Sequence, residues 1–272
     1  MASALPETDD ATLGHLNVIE YSREDARWQT PHEIVERDGV LLFTGASEFP
    51  AFSNGVRRVD DAVPGATVVA MATEFFATRD RGFSLWTREM PVDDDLAVAA
   101  TAAGINALGN GSPQMICRDR VEPGALAADV TLEPITTREQ VDAYAELSGE
   151  AYSVYGAPAE ATASHFNGPN AMVGPNVHGV LARLDGEPVG GALILLSHGI
   201  AGVYWVGVLE AARGRGIAYT ATAHLTNLAF DLGARNVQLQ ASEMGEPVYR
   251  RMGYEDLYRA RLHLFFPPGW SM

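Results

Sequence analysis

The reading of the chain turns on Ala212-Arg213-Gly214-Arg215-Gly216-Ile217-Ala218, ARGRGIA, which follows the run VYWVGVLE (Val203 to Glu210). The run is rich in Val, Tyr and Trp and reads as a strand. Beyond the heptad, Ile217, Ala221, Leu225, Leu228 and Leu232 recur at spacings of four, four, three and four, the stripe of a helix, and Gly233 stops it. The heptad therefore opens a helix directly after a strand. First-turn N–H groups have no partner inside a helix, and the helix dipole adds partial positive charge there. Gly214 and Gly216 leave that backbone bare, Ala218 keeps it small, and Arg213 and Arg215 add charge in a fork suited to phosphate oxygens. Together these make a pyrophosphate cradle. It is neither a Walker loop, because GK[ST] is missing, nor a dinucleotide GxGxxG fingerprint, because residue 219 is Tyr.

Working outward, Asp129 to Pro134 alternates like a strand, and Thr137 with Gln140 forms a capping-box pattern opening a helix with Val141, Tyr144, Ala145 and Leu147 on one side. Val177 to Leu184 and Pro188 to Leu196 flank Asp185-Gly186, a hairpin signal. After a Ser197-His198-Gly199 turn comes the strand Ala201 to Leu209. Asn236 to Ala241 is a short strand, Pro247 to Met252 a short helix, and Tyr254 to Phe266 a last strand or hairpin. The N-terminal part shows a fainter version of the same order. Phe52 to Val59 reads as a strand, Val63 to Arg81 as a helix, Phe83 to Thr87 as a strand, Asp95 to Ala103 as a helix and Gln114 to Cys117 as a strand. Its equivalent junction, VRRVDDAVPG (Val56 to Gly65), carries no RGRG-like run. The Pro-Gly stretch Arg120 to Asp129 is the best internal boundary, dividing residues 1–126 from 127–272.

With 272 residues and 47 % apolar side chains, the chain has material for two cores. One cysteine, Cys117, allows no internal disulfide, and the seven histidines show no ligand spacing, so no metal is expected. The acidic start MASALPETDD lacks the basic and apolar regions of a secretory signal, and no apolar run could cross a bilayer, so a cytoplasmic location is expected. A net charge of −16, with arginine as the sole basic residue besides histidine, argues against nucleic acid and anionic membrane as partners; a cationic or amine-bearing substrate fits the field better. Asp93-Asp94-Asp95 reads as a solvated helix cap, and Phe265-Phe266-Pro267-Pro268 with Trp270 as apolar residues that pack back on the fold or on a partner.

Val-x(4)-Arg-x-x-Gly-x-Ala, spelled by Val208, Arg213, Gly216 and Ala218, resembles the coenzyme A motif of the GCN5-related N-acetyltransferases (GNAT). A second match follows in LQASEMGEPVYRRMGYED, where Tyr249, Gly253 and Tyr254 fall on that family's Tyr-x-x-x-Gly-Phe/Tyr signature. The resemblance implies an α/β fold with a mixed, mostly antiparallel central sheet flanked by helices, present as two copies of which the N-terminal one is degenerate and binds no coenzyme A. It implies acetyl-CoA as cosubstrate in a V-shaped opening beside a β-bulge. Val206, Gly207 and Val208 would contact the acetyl and pantetheine groups. Arg213, Gly214, Arg215, Gly216 and Ala218 would offer N–H groups to the pyrophosphate. Gly207 fits a bulge or equally a packing pinch. Tyr249 would protonate the leaving thiolate, or else packs at the helix start. Ser242 and Glu243 stand where the family often has asparagine; Glu243 is either the base or a helix cap. His165, Glu160 and His198 read as structural or surface residues, and a water chain could replace any side-chain base. The expected activity is transfer of acetyl to a primary amine by direct attack in a ternary complex, with a small-molecule acceptor favoured over a protein and the chain acting as monomer or homodimer. A non-catalytic acyl-CoA-binding or partner-binding module of the same fold is the alternative.

Overall fold

Asp9 accepts the Thr12 N–H at 2.9 Å and starts a helix that the apolar pattern conceals, α1 (Asp10–Arg27). This computed structural model describes residues 8–267. After α1 come β1 (Glu33–Arg37), β2 (Val40–Thr44), β3 (Gly55–Arg58), α2 (Gly65–Ala77), β4 (Phe83–Arg88), α3 (Asp94–Ala102), β5 (Asn106–Ala107) and β6 (Ser112–Cys117). The second half holds β7 (Val130–Ile135), α4 (Arg138–Tyr152), α5 (Ala159–Ala163), β8 (Val177–Leu184), β9 (Glu187–Ser197), β10 (Ile200–Val208), α6 (Ile217–Asp231), β11 (Val237–Gln240), α7 (Glu246–Arg251) and β12 (Glu255–Phe265). The capping box at Thr137 and Gln140 forms with both of its bonds. Asp185 and Gly186, at φ +50° and +90°, turn the β8–β9 hairpin with the positive dihedrals such a tight turn requires.

One sheet runs through both halves in the order β1-β2-β3-β4-β12-β6-β11-β10-β9-β8-β7, with β5 paired to β12. Only β3 with β4 and β10 with β11 are parallel; the other pairs are antiparallel. Each of these parallel pairs is joined through a helix, α2 in the first half and α6 in the second, so the two halves share a topology. The last strand of each half lies in the sheet of the other: β6 pairs β11, and β12 pairs β4. The cores are shared accordingly. Met115 and Cys117 of β6 are buried with Ala221, Leu225 and Leu239, while Phe265 of β12 packs against Phe83 at 5.3 Å between ring centres.

Helices cover both faces, so the central strands are apolar on both sides rather than alternating. On β9, Ala192 and Ile194 face the α6 cluster, and Leu193 and Leu195 face α4 and Trp28. The helix over 217–231 keeps its predicted apolar face except at Leu232. That residue is the C-cap and 47 % exposed, and Ala229 takes its place in the core. The strand expected from Phe52 is shorter and begins at Gly55.

Of the triplet Asp93-Asp94-Asp95, Asp94 and Asp95 are exposed in the first turn of α3 as the sequence suggests, but Asp93 is not solvated. Asp93 is buried between two buried arginines, accepting from Arg58 and, at 2.8 Å, from Arg88 Nε. Asp95 pairs with Arg58 at 2.8 Å and accepts the Gly65 N–H at 2.6 Å. Two guanidiniums held out of water demand counter-charge, which draws Asp93 inward. Trp270, and Pro268 with it, lie outside the described residues.

Candidate active site

β10 and β11 pair only over Ala201–Val203 and Val237–Leu239. Beyond that point β10 continues to Val208 while β11 ends at Gln240, so the two strands part and leave a crevice. The parting coincides with an irregularity on the other edge of β10. Tyr204 faces Leu193 and Gly207 faces Gly191, so Trp205 and Val206 together oppose Ala192 alone: a β-bulge. Trp205 sits at φ +54°, a region a bulky side chain enters only when its surroundings hold it there. They do. The Tyr144 hydroxyl donates to Trp205 O, the Tyr152 hydroxyl to Val206 O at 3.3 Å, and Trp205 Nε1 to the Tyr21 hydroxyl. Gly207, expected at the bulge, lies just beyond it. A methyl group there would meet the Ala151 Cβ at 3.3 Å and the Tyr152 ring at 3.4 Å, so it serves as the pinch against α4.

At the end of β10 the heptad folds as a bare helix start. Gly214 and Gly216 lie at φ +79° and +78°, and Gly216 is the N-cap of α6 with no side chain capping it. A Cβ on Gly214 would meet nothing within 4 Å, whereas one on Gly216 would come within 2.5 Å of Ala125 O. The backbone N–H of Arg213 is taken by Glu210 O, and that of Thr220 by Gly216 O. Between them, the N–H groups of Gly214, Arg215, Gly216, Ile217, Ala218 and Tyr219 make no hydrogen bond among the described residues. Such a run is what an oxyanion-rich diphosphate requires. Arg213 is exposed and forms no ion pair among the described residues; its Nε lies 3.4 Å from Val208 O. Arg215, expected to add free charge, instead pairs with Asp129 at 2.9 Å, an exposed contact of small worth that an incoming anion can displace.

At the other end of the crevice a cavity of about 970 Å³ opens between the halves, and Val206, Tyr249, Ser242 and Glu243 line it. Tyr249 is 7 % exposed, its hydroxyl makes no hydrogen bond among the described residues, and burial drives its pKa well above the ordinary phenol value. It is therefore held protonated at neutral pH. Ser242 accepts the Gly245 N–H at 3.2 Å, and its carbonyl takes the Glu246 N–H at 2.9 Å, so Ser242 caps the turn into α7. Glu243 is left exposed at the cavity wall. Glu160 is exposed and away from this cavity, and His198 occupies the β9–β10 turn.

Three features had no signal in the local pattern. Asp25, from α1, receives the Tyr21 hydroxyl at 2.9 Å and Gln29 Nε2 at 3.2 Å, and is paired with His165 Nδ1 at 2.9 Å. Ser53 Oγ lies 3.2 Å from His165 Nε2. This buried network ties the two halves together across more than a hundred residues of sequence, so neither partner announces the other. Second, the aromatic wall of Phe52, Tyr152 and Trp205 forms only when both halves meet, with Trp205 5.9 Å from Phe52 and 4.9 Å from Tyr152 between ring centres. Third, Arg57 of β3 reaches the same cavity. The positive φ of Trp205 has no sequence counterpart either, since glycine is the residue that normally marks such a dihedral.

A bulged strand parting from its parallel neighbour, with an uncapped glycine-rich helix start beyond it, defines the acyl-CoA N-acyltransferase class of fold. The comparisons agree. Residues 141–254 match the acetyltransferase (GNAT) family, so the chain carries a domain of that family, whose members are acyltransferases drawing on acyl-CoA. Among solved structures, a GCN5-related N-acetyltransferase from Kribbella flavida aligns over 97 % of this chain and 98 % of its own, with TM-score 0.70 and 22 % identity. A tandem GNAT protein from the clavulanic acid biosynthesis pathway aligns over 97 % of both chains, with TM-score 0.60 and 17 % identity. A GCN5-related N-acetyltransferase from Sphaerobacter thermophilus aligns over 89 % of this chain and 78 % of its own, with TM-score 0.60 and 18 % identity. At these identities the likenesses establish the fold. No curated protein sequence gave a match. Among the described residues, no helix is long and apolar enough to cross a membrane.

Proposed function

We propose that the chain is an N-acetyltransferase that moves the acetyl group of acetyl-CoA to a primary amine by direct attack in a ternary complex, with residues 127–272 as the active copy. The observation that carries this reading is the run of free N–H groups from Gly214 to Tyr219, joined through β10 to a cavity where Val206 and the Tyr249 hydroxyl meet. Acetyl-CoA supplies the thioester carbonyl and the thiolate leaving group. Gly214, Arg215, Gly216 and Ala218 hold the pyrophosphate through their N–H groups, with Arg213 adding charge. Val206 and Val208 flank the acetyl and pantetheine arm. The amine lone pair forms the new C–N bond, the C–S bond breaks, and Tyr249 donates its phenolic proton to the departing sulfur. Glu243 accepts the proton lost by the amine, directly or through water. The acceptor is a small molecule, because Val206, Tyr249 and Glu243 line a cavity of about 970 Å³ between the two halves rather than an open face.

Replacing Tyr249 with Phe removes one oxygen from a position with no hydrogen bond to lose. We expect kcat to fall by about 10²-fold, in the range of a lost general acid, while acetyl-CoA affinity stays within a few-fold. Coenzyme A release and calorimetry measure the two quantities. Unchanged turnover contradicts the role of Tyr249; an absence of acetyl-CoA binding contradicts the whole reading and its non-catalytic alternative together.

A further inference from the structure

Arg57 of β3 lines the cavity, and no carboxylate forms an ion pair with it among the described residues. Its Nη1 donates to Val56 O at 2.9 Å, its Nε is buried without a partner, and no carboxylate lies within 4 Å among the described residues. The guanidinium lies over the Phe43 ring, 5.4 Å from its centre, a cation–π contact that gives the charge only weak support. Burial lowers its pKa to about 10, with Asp25 opposing that fall, so it remains a cation at neutral pH.

Apart from Glu243, exposed at the mouth of the α7 turn and assigned above to the amine's proton, the other charges on the cavity wall are already matched. Arg88 is held by Asp93 and Asp61. The Asp25 carboxylate is occupied by Tyr21, Gln29 and His165. His15 is kept neutral by burial, which lowers its pKa to about 4. A half-buried guanidinium with its Nε unpartnered and no carboxylate beside it costs a fold stability, and it persists where a ligand completes it. One uncompensated positive charge suits one negative charge: a carboxylate rather than a phosphate dianion, which would call for a second cation.

We propose that Arg57 is an anion subsite that takes the carboxylate of the acceptor, so that the acetylated amine is an amino acid or a longer amino-carboxylic acid. The proposal rests on the acyl-transfer reading for which end of the ligand reacts. The amino group is delivered to the bulge at Val206 and to Tyr249. The carboxylate pairs with Arg57, and the body between them packs against Tyr21, Phe52 and Trp205. The first half of the chain thereby contributes specificity to a reaction carried out by the second.

The test is calorimetry on the full chain with a series of amino acids, from α-amino to long-chain ω-amino acids, each set beside its own carboxamide. Coenzyme A release in the presence of acetyl-CoA is recorded in parallel. At least one acid should bind tenfold or more above its amide, roughly the worth of a charge-assisted pair in a dry site. In Arg57→Met the acid should fall to the level of its amide while acetyl-CoA affinity is unchanged, which also shows that the variant is folded. Arg57→Lys, keeping charge without the fork, should lie between and serves alone if the Met variant does not fold. The proposal is overturned if no acid exceeds its amide in the native chain, or if either variant keeps the native preference. Loss of acetyl-CoA binding would strike the acyl-transfer reading instead, and the acid-over-amide comparison without acetyl-CoA still decides the role of Arg57.

Discussion

The junction between β10 and α6 and the junction between β3 and α2 stand at equivalent places, each following a strand that runs parallel to its neighbour. At the first, six N–H groups are free and the strands part into a cavity. At the second, Pro64 precedes the helix, Asp95 takes the Gly65 N–H, and a Cβ on Gly65 would be 2.5 Å from the Leu96 Cα because α3 lies directly on the helix start. The gap between the ends of β3 and β4 is bridged by Arg58, Asp93 and Arg88. The same topology thus gives an open helix start with free donors in one half and a closed, internally neutralised joint in the other. The N–H groups of Gly65, Thr67 and Val68 are taken there, so that helix start offers no run of free donors. Its natural occupant is the aspartate pair.

The comparison is broken most forcibly at Asp93. Asp93→Ala leaves Arg58 and Arg88, 3 % and 7 % exposed, without their shared carboxylate. We expect a loss of about 3–5 kcal/mol in denaturant unfolding, because a buried charge stripped of its partner costs more than the pair was worth. Acetyl-CoA binding at the other junction should survive in the fraction that folds. A smaller effect is expected at Gly216, where Ala would have to hold φ +78° and meet Ala125 O. Stability should fall by about 1–2 kcal/mol and acetyl-CoA affinity by roughly tenfold, whereas Gly65→Ala should lower stability and leave affinity untouched. Thermal melts with and without ligand separate the two outcomes.

The smallest effect concerns pH. His15 of α1 is held neutral by burial and by the charge of Arg88, with a folded pKa of about 4. The unfolded chain protonates this histidine first as pH falls below about 6.5, so stability is full above that pH and declines toward 4. His15→Gln should flatten this part of the profile by on the order of 1 kcal/mol, read from denaturant midpoints at pH 7 and pH 5. An unaltered profile would show that His15 does not set it.

The contrast between the halves also shows what the sequence makes legible. The β10–α6 junction is local: glycines, arginines and the following helix lie within about two turns, and their pattern alone marks the bare helix start that the structure contains. The bulge is nearly local, but its positive φ falls on Trp205, which nothing in the alternation of β10 marks. The exchange of β6 and β12 is invisible, because both strands have ordinary patterns and only the sheet order reveals their neighbours. The plug is misread for the same reason. Asp93 looks like a solvated cap until Arg58, 35 residues earlier, is seen to hydrogen-bond to it. Arg57 gives no sign at all, since a functional cation and a surface one look the same until burial distinguishes them.

The central claim is that one junction binds acyl-CoA and the other cannot. Titration calorimetry of the full chain with acetyl-CoA tests it most directly. A stoichiometry of one ligand per chain, with affinity lowered about tenfold in Gly216→Ala, is the predicted result; two ligands per chain, or none, would contradict it.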